Sequence, residues 1–203
     1  MDYKKGPSSL HDDAYLWQQL TAGNYQALGL IYQRHCAALI QYGRKLTANE
    51  DLVKDNVQDL FVELWHRRDN LTQDVEQVKL YLLGALRHKI ARSVKLHDQQ
   101  TDLALINAAG YAEQSHESVL IKSELDAERS EKLQEAIARL APRQQEIIHL
   151  RFYQNLNHQQ TAAVMNMREQ SVRNLLHVSL VQLRKKLDFA IQIPLLCLLG
   201  LYC

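Results

Sequence analysis

Gln170, Arg173, Asn174, His177 and Arg184 are spaced to fall on one side of a helix that begins at Glu169. Guanidinium, carboxamide and imidazole groups hydrogen-bond to phosphate oxygens and to base edges, and a helix is narrow enough to enter the major groove of DNA. On the opposite side, Val172, Leu175, Leu176, Leu180, Leu183 and Leu187 form a single apolar stripe. A solvated surface helix carries the same stripe, so the segment in front decides between the two readings. There Gln159 to Met165 reads as a second short helix, joined by a tight turn at Asn166, a residue that tolerates the left-handed backbone. Residues 140–186 therefore read as a helix-turn-helix whose second helix faces DNA.

The charge distribution agrees. The chain of 203 residues has a formal net charge of only +1, but that charge is unevenly placed. From Arg139 to Leu187 eight Lys/Arg face Glu146 and Glu169, a balance of +6. Between Gly84 and His97, Arg87, Lys89, Arg92 and Lys95 stand without an acid, whereas Glu50 to Val78 carries eight acids against Lys54, Arg67 and Arg68, or −5. Two basic stretches and one acidic one suggest two contacts with nucleic acid and one with a basic protein surface.

Enzyme chemistry finds little support. The nine histidines include no pair four residues apart, the seven glycines form no phosphate-cradling cluster, and neither GxSxG nor HExxH occurs. Cys36, Cys197 and Cys203 form no CxxC pair and are odd in number, so neither a disulfide framework nor a zinc site is expected, and a reducing cytoplasm is the natural setting. No metal, cofactor or small-molecule substrate is expected. The N-terminal MDYKKGPSSLHDD has no apolar run, so no signal peptide is expected.

The elements that position these residues are helical throughout. Only three prolines and seven glycines occur and no alternating apolar pattern persists, which predicts an all-α chain of two small domains joined by a flexible linker. In the first block Leu16, Leu20, Leu28, Ile31, Tyr32, Leu39 and Tyr42 outline two amphipathic helices broken near Gly23-Asn24, with Cys36 a small buried hydrophobe. The next helix, DLVKDNVQDLFVELWHRR, buries Leu52, Val53, Val57, Leu60, Phe61, Leu64 and Trp65 and leaves Asp55, Gln58, Asp59 and Glu63 outside. After a polar loop from Arg68 to Gln77, VKLYLLGALRHKIARSVKL turns Tyr81, Leu82, Ala85, Leu86 and Ile90 inward and Lys79, Arg87, His88, Arg92 and Lys95 outward.

Three ordered motifs, DNVQDLFVELW, YLLGALRHK and LAPRQQEIIHLRFYQNLNHQQTAAVMNMREQSVRNLLHVSLVQLRK, resemble the sigma-70 family in its two-domain extracytoplasmic-function branch, over roughly Asp13 to Leu187. The resemblance implies a sigma factor that binds core RNA polymerase, directs it to promoters and helps melt the start-site DNA, performing no chemistry itself. It places Asp55, Gln58, Asp59 and Glu63 where the family docks on the polymerase clamp helices, an acidic face seeking a basic one. Lys79, Arg87, His88, Arg92 and Lys95, with the preceding loop, stand where the family reads the −10 element; a melted strand needs such a basic track and a pocket for an extruded base. Arg168, Gln170, Arg173, Asn174 and His177 take the −35 reading positions, while Arg143, Arg151, Lys185 and Lys186 are assigned to phosphate. An anti-sigma factor is a further partner the family admits. Four residues depart from the family pattern: His88 where Asn is common, Tyr81 where Trp is, Asn166 in place of a turn Gly, and Thr161 before Ala162 in place of Ile.

The expected organisation is thus an N-terminal tail at 1–12, a core-binding and −10 domain at 13–96, an acidic linker at 97–124, a −35 domain at 125–187 and a hydrophobic tail at 188–203. The linker contains Asp98, Asp102, Glu113 and Glu117 and reads as a polar tether; the resemblance adds that such linkers thread basic channels of the polymerase. The tail FAIQIPLLCLLGLYC is shorter than the about 20 apolar residues a spanning helix needs, and Pro194 interrupts it. Packing on the second domain, a protein partner and a membrane surface all remain open for it. The competing function is a helix-turn-helix regulator independent of polymerase. It would need a sensor or receiver ahead of the DNA-reading segment, and the first 96 residues show neither strands nor an acidic phosphorylation pocket.

Overall fold

The computed structural model describes residues 12–72, 75, 77–100 and 124–187, and every regular element among them is helical. Helices α1 (Asp13–Thr21), α2 (Tyr25–Gly43), α3 (Glu50–His66) and α4 (Val78–Gln100) are followed by α5 (Glu124–Ala138), α6 (Pro142–Ile148), α7 (His158–Met165) and α8 (Glu169–Lys186). A 3-10 turn at Arg68–Asn70 follows α3, and α6 runs into a π turn at His149–Tyr153. The chain divides into two compact units: α1 to α4 with Ala162–Asn166 of α7 and its turn fall in the first, and α5, α6, the start of α7 up to Thr161, and α8 in the second. The N-terminal tail, most of the linker and the hydrophobic tail fall outside the described residues. Helix α4 continues to Gln100, past the Leu96 expected to end the first block.

Short polar side chains set the helix starts. Asp12 accepts from Ala14 N at 3.1 Å, Asn24 from Gln26 N at 3.0 Å and Asn49 from Leu52 N at 3.0 Å, each satisfying an orphan amide of the first turn. Between α1 and α2 the chain reverses at Gly23, whose φ of +88° lies in the left-handed region that glycine adopts without a steric penalty.

The first unit buries one face of each helix. Leu16, Trp17 and Leu20 of α1 join Ile31, Leu39 and Tyr42 of α2, Val53, Val57, Leu60, Phe61 and Leu64 of α3, and Leu82, Leu83, Leu86 and Ile90 of α4. Polar bonds fix the seams: Asp13 takes Arg34 Nη1 at 2.9 Å and lies 2.8 Å from His35 Nε2, tying α1 to α2. Between α3 and α4, Ser93 Oγ donates to Asn56 Oδ1 at 3.0 Å while Asn56 Nδ2 donates to Leu52 O at 2.7 Å. The buried His35 and Asn56 are therefore satisfied.

Two tyrosines expected inside lie on the rim. Tyr32 is exposed, its ring set edge-on to Phe61 at 5.0 Å, and Tyr81 is 41% exposed, edge-on to Trp17 at 4.9 Å. In each case the larger or more central ring has taken the interior. Trp65, Leu52, Ala85 and Cys36 are half-buried rather than enclosed. In the second unit Val172, Leu176, Leu183 and Leu187 are buried as the stripe predicts, with Ile147, Ile148, Leu150 and Leu156 packed in the same core, while Leu175 and Leu180 are half-buried.

At Gly43 of α2 the neighbouring helices pack close, since an added Cβ would stand 2.5 Å from Val53 Cγ1 of α3 and 3.4 Å from Ile90 Cδ1 of α4. Gly43→Ala is therefore expected to destabilise the protein by about 1–3 kcal/mol through overpacking, despite alanine's better helix propensity. Urea unfolding checks this, and combining it with Val53→Ala should return part of the loss.

Candidate nucleic-acid interface

On α3, Asp55, Gln58 and Asp59 are exposed, and no ion pair among the described residues holds the two aspartates. Glu63 differs: its carboxylate accepts from Lys89 Nζ of α4 at 2.6 Å. That hydrogen bond holds the Glu63 carboxyl below the ordinary glutamate range, with the charges of Lys89, Arg67 and Arg92 acting in the same direction. Of the four acidic-face residues expected from sequence, three project outward and the fourth closes a bond between helices. Its partner, Lys89, was not among the expected site residues.

On α4, His88, Arg92 and Lys95 are exposed, whereas Lys79 and Arg87 are half-buried. Burial lowers the Lys79 amine from its usual value. Tyr81, His88 and Lys95 recur every seven residues, two helical turns, so they share one exposed ridge. The segment before α4 is anchored at two points. The Arg68 guanidinium lies 4.6 Å over the Trp65 ring and its Nη1 donates to Trp65 O at 2.9 Å, and Tyr25 meets Trp65 edge-on at 5.2 Å. Trp17 Nε1 donates to Thr72 O at 2.8 Å. The signal that could have found Trp17 is an indole in an apolar stripe, which must find an acceptor when buried.

In the second unit polar side chains shape the backbone. Gln145 Nε2 donates to Ala138 O at 3.0 Å and Leu140 O at 2.9 Å, joining the end of α5 to α6. In the π turn the His149 ring stacks on Tyr153 at 5.3 Å and 13°. Arg151 was expected to contact phosphate. Its guanidinium is instead half-buried and donates to Leu156 O, bracing the bend that passes through Asn155 at φ +56°. Lys186, expected in the same role, remains exposed but donates to Arg139 O at 2.8 Å, while Arg143 and Lys185 are exposed.

Helix α7 begins with a reciprocal cap: Asn157 Oδ1 accepts from Gln160 N and Gln160 Oε1 from Asn157 N, both at 2.8 Å. Thr161, buried where an aliphatic residue is common, returns its hydroxyl to Asn157 O at 2.8 Å, which removes the cost of burying it. Asn166 has φ +52°, as the turn reading requires. Burial lowers the pKa of His158, with the Arg151 and Arg173 charges adding, so its neutral form is favoured.

Helix α8 presents Gln170, Arg173, Asn174, His177 and Arg184 to solvent, opposite Val172, Leu176 and Leu183, and Arg168, the residue that precedes the helix, is exposed beside them. Arg173 pairs with Glu169 at 2.5 Å and Gln170 Nε2 donates to Asn174 Oδ1 at 3.1 Å. Exposed pairs of this spacing contribute only about 0.3–0.5 kcal/mol, so base edges or phosphates can displace them at little cost. The sequence reading missed that Val178 and Val181 lie exposed toward the end of the same helix. Among the described residues no group of His, Cys, Asp and Glu could hold a metal ion, and no helix is long and apolar enough to cross a membrane.

A turn-linked pair of helices whose second element displays cationic and amide side chains has the arrangement of a helix-turn-helix. Residues 136–185 match the family described as "Sigma-70, region 4". The RNA polymerase sigma factor CnrH of Cupriavidus metallidurans is 40% identical over 62 residues, 30% of this chain and 32% of that protein. The ECF RNA polymerase sigma factor BldN of Streptomyces coelicolor is 25% identical over 163 residues, 79% of this chain and 60% of that protein. The matched segments thus span less than two thirds of these relatives. Two solved structures share the fold: CnrH in complex with the cytosolic domain of CnrY (TM-score 0.57, 21% identity, 84% of this chain and 94% of that one) and the sigma factor RpoE in complex with the anti-sigma factor NepR from Bartonella quintana (TM-score 0.58, 19% identity, 79% and 94%). Residues 136–185 are thus similar to sigma-70 region 4, and most of the chain is similar to a sigma factor of the extracytoplasmic-function group.

The Glu63–Lys89 pair yields a pH prediction. Because the folded pKa of Glu63 lies below its unfolded value of about 4.3, its stabilisation is complete above that value and fades as pH falls through the folded pKa. Lys89→Met should cost about 0.5–1 kcal/mol at neutral pH, as befits a partly exposed pair, and less at acid pH. Thermal unfolding of both proteins across the acid range measures the difference.

Proposed function

We propose that this chain is a sigma factor: it binds core RNA polymerase and brings it to promoters by reading a −10 element with the first unit and a −35 element with the second. The exposed polar face of α8, within the segment that matches sigma-70 region 4, carries this reading. On α8, Arg168, Gln170, Arg173, Asn174 and His177 read bases, and Arg143 and Lys185 hold phosphate. On α4, His88, Arg92 and Lys95 form the basic track for the melted strand, with Lys79 and Arg87 at its half-buried edge. Asp55, Gln58 and Asp59 form the surface that docks on the polymerase, with Glu63 at its margin.

The protein supplies binding and no chemistry, acts without a cofactor, and works in the cytoplasm where polymerase and DNA are found. An anti-sigma factor is a fitting regulator, since two of the structures with this fold are complexes of that kind or with a cytosolic partner domain. The division of labour follows from charge: an acidic helix suits a basic protein surface, and the basic ridge and recognition helix suit nucleic acid. A regulator independent of polymerase would leave the exposed acids of α3 without a role.

Run-off transcription with core polymerase on sheared genomic DNA tests the reading. New start sites preceded by two shared elements at fixed spacing are expected only when the protein is added, and their absence would contradict it. Given such a promoter, Arg173→Ala is expected to cost about 1–3 kcal/mol of discrimination at one −35 base pair. Lys185→Ala should instead weaken binding evenly across sequences and reduce the salt dependence by about one ion. Competition binding at several salt concentrations separates the two.

A further inference from the structure

Trp17 lies at the junction of three elements. It is fully buried in α1, its Nε1 donates to Thr72 O at 2.8 Å in the segment before α4, and its ring receives Tyr81 of α4 edge-on at 4.9 Å and 64°. The indole has one donor, and the Thr72 carbonyl takes it. Tyr81 in turn heads the exposed ridge that continues through His88 to Lys95. Arg68 is tied separately to Trp65, and the bond to Trp17 holds Thr72, further along the segment.

We propose that Trp17 is the positioning residue of the −10 site: by holding the Thr72 carbonyl and the Tyr81 ring in one arrangement, it sets the geometry with which α4 discriminates promoter sequence, without touching DNA itself. This rests on the reading of α4 as the −10 reader. Discrimination needs contacting groups fixed to within a fraction of an ångström, and side chains locked by packing and by hydrogen bonds behind them provide that. A buried indole bonded to a backbone carbonyl is such a lock. Phenylalanine in its place keeps the apolar ring and loses the donor, leaving the Thr72 carbonyl without its bond to α1.

The test uses the full chain with core polymerase and a promoter mapped by run-off transcription, in competition with copies altered at single positions of the −10 or the −35 element. Trp17→Phe is compared with wild type, and a benzothienyl-alanine at position 17 serves as an isostere that keeps the ring shape and lacks the N–H. Discrimination at the −10 element is expected to fall about 2–10-fold in both, the range that one net hydrogen bond spans. Discrimination at −35 and affinity for core polymerase are expected to stay at the wild-type level. Equal loss at both elements would show a merely structural residue and overturn the proposal, as would unchanged −10 discrimination in the isostere. Failure of the wild type to initiate would overturn the underlying function, and is seen before any variant is compared.

Discussion

The first unit depends on the seam between α3 and α4, where the apolar faces of an acidic helix and a basic helix close on each other. Val57, Leu60, Phe61 and Leu64 on one side and Leu82, Leu86 and Ile90 on the other leave the water-facing surfaces with opposite charge. Burial brings the helices together; the Asn56–Ser93 bond and the Glu63–Lys89 pair fix their register. Apolar contact is non-directional, so without these bonds the helices could slide and still bury the same area. A fixed register is what gives an acidic face and a basic ridge a constant relation within one small unit.

The second unit solves a different problem, that of presenting one helix face while keeping it polar. Its backbone bends are held from inside: Gln145 bridges α5 to α6, Arg151 braces the turn through Asn155, and Asn157 with Gln160 starts α7. Arginine serves twice there in opposite ways. Arg151 gives its guanidinium to a backbone carbonyl, while Arg173 remains on the surface in a weak pair with Glu169 that a DNA partner can replace.

How much of this was legible in the sequence follows from what a periodic pattern can encode. The stripe from Val172 to Leu187 gave the start of α8 and its outward face, because helix geometry alone converts spacing into direction. The turn at Asn166 was legible because few residues accept its backbone conformation. Contacts between helices were not. Glu63 and Lys89 are 26 residues apart and Trp17 and Thr72 are 55 apart, and nothing local marks them as neighbours. Periodicity also misjudged Tyr32 and Tyr81, since a stripe names the side that faces the core but not which of two rings reaches it. The π turn escaped because five residues, His149–Tyr153, are too short a stretch to establish a period of their own.

The most direct test of the central claim, that an acidic face on α3 carries this protein to polymerase, is a titration of labelled protein with core RNA polymerase, comparing wild type with the double variant Asp55→Lys, Asp59→Lys. Both positions are exposed and outside the buried seam, so the variant should fold with wild-type stability. Tight binding by the wild type and a loss of at least about tenfold, or 1.4 kcal/mol, in the variant is the predicted result. Equal affinity of the two proteins for core polymerase would contradict the account.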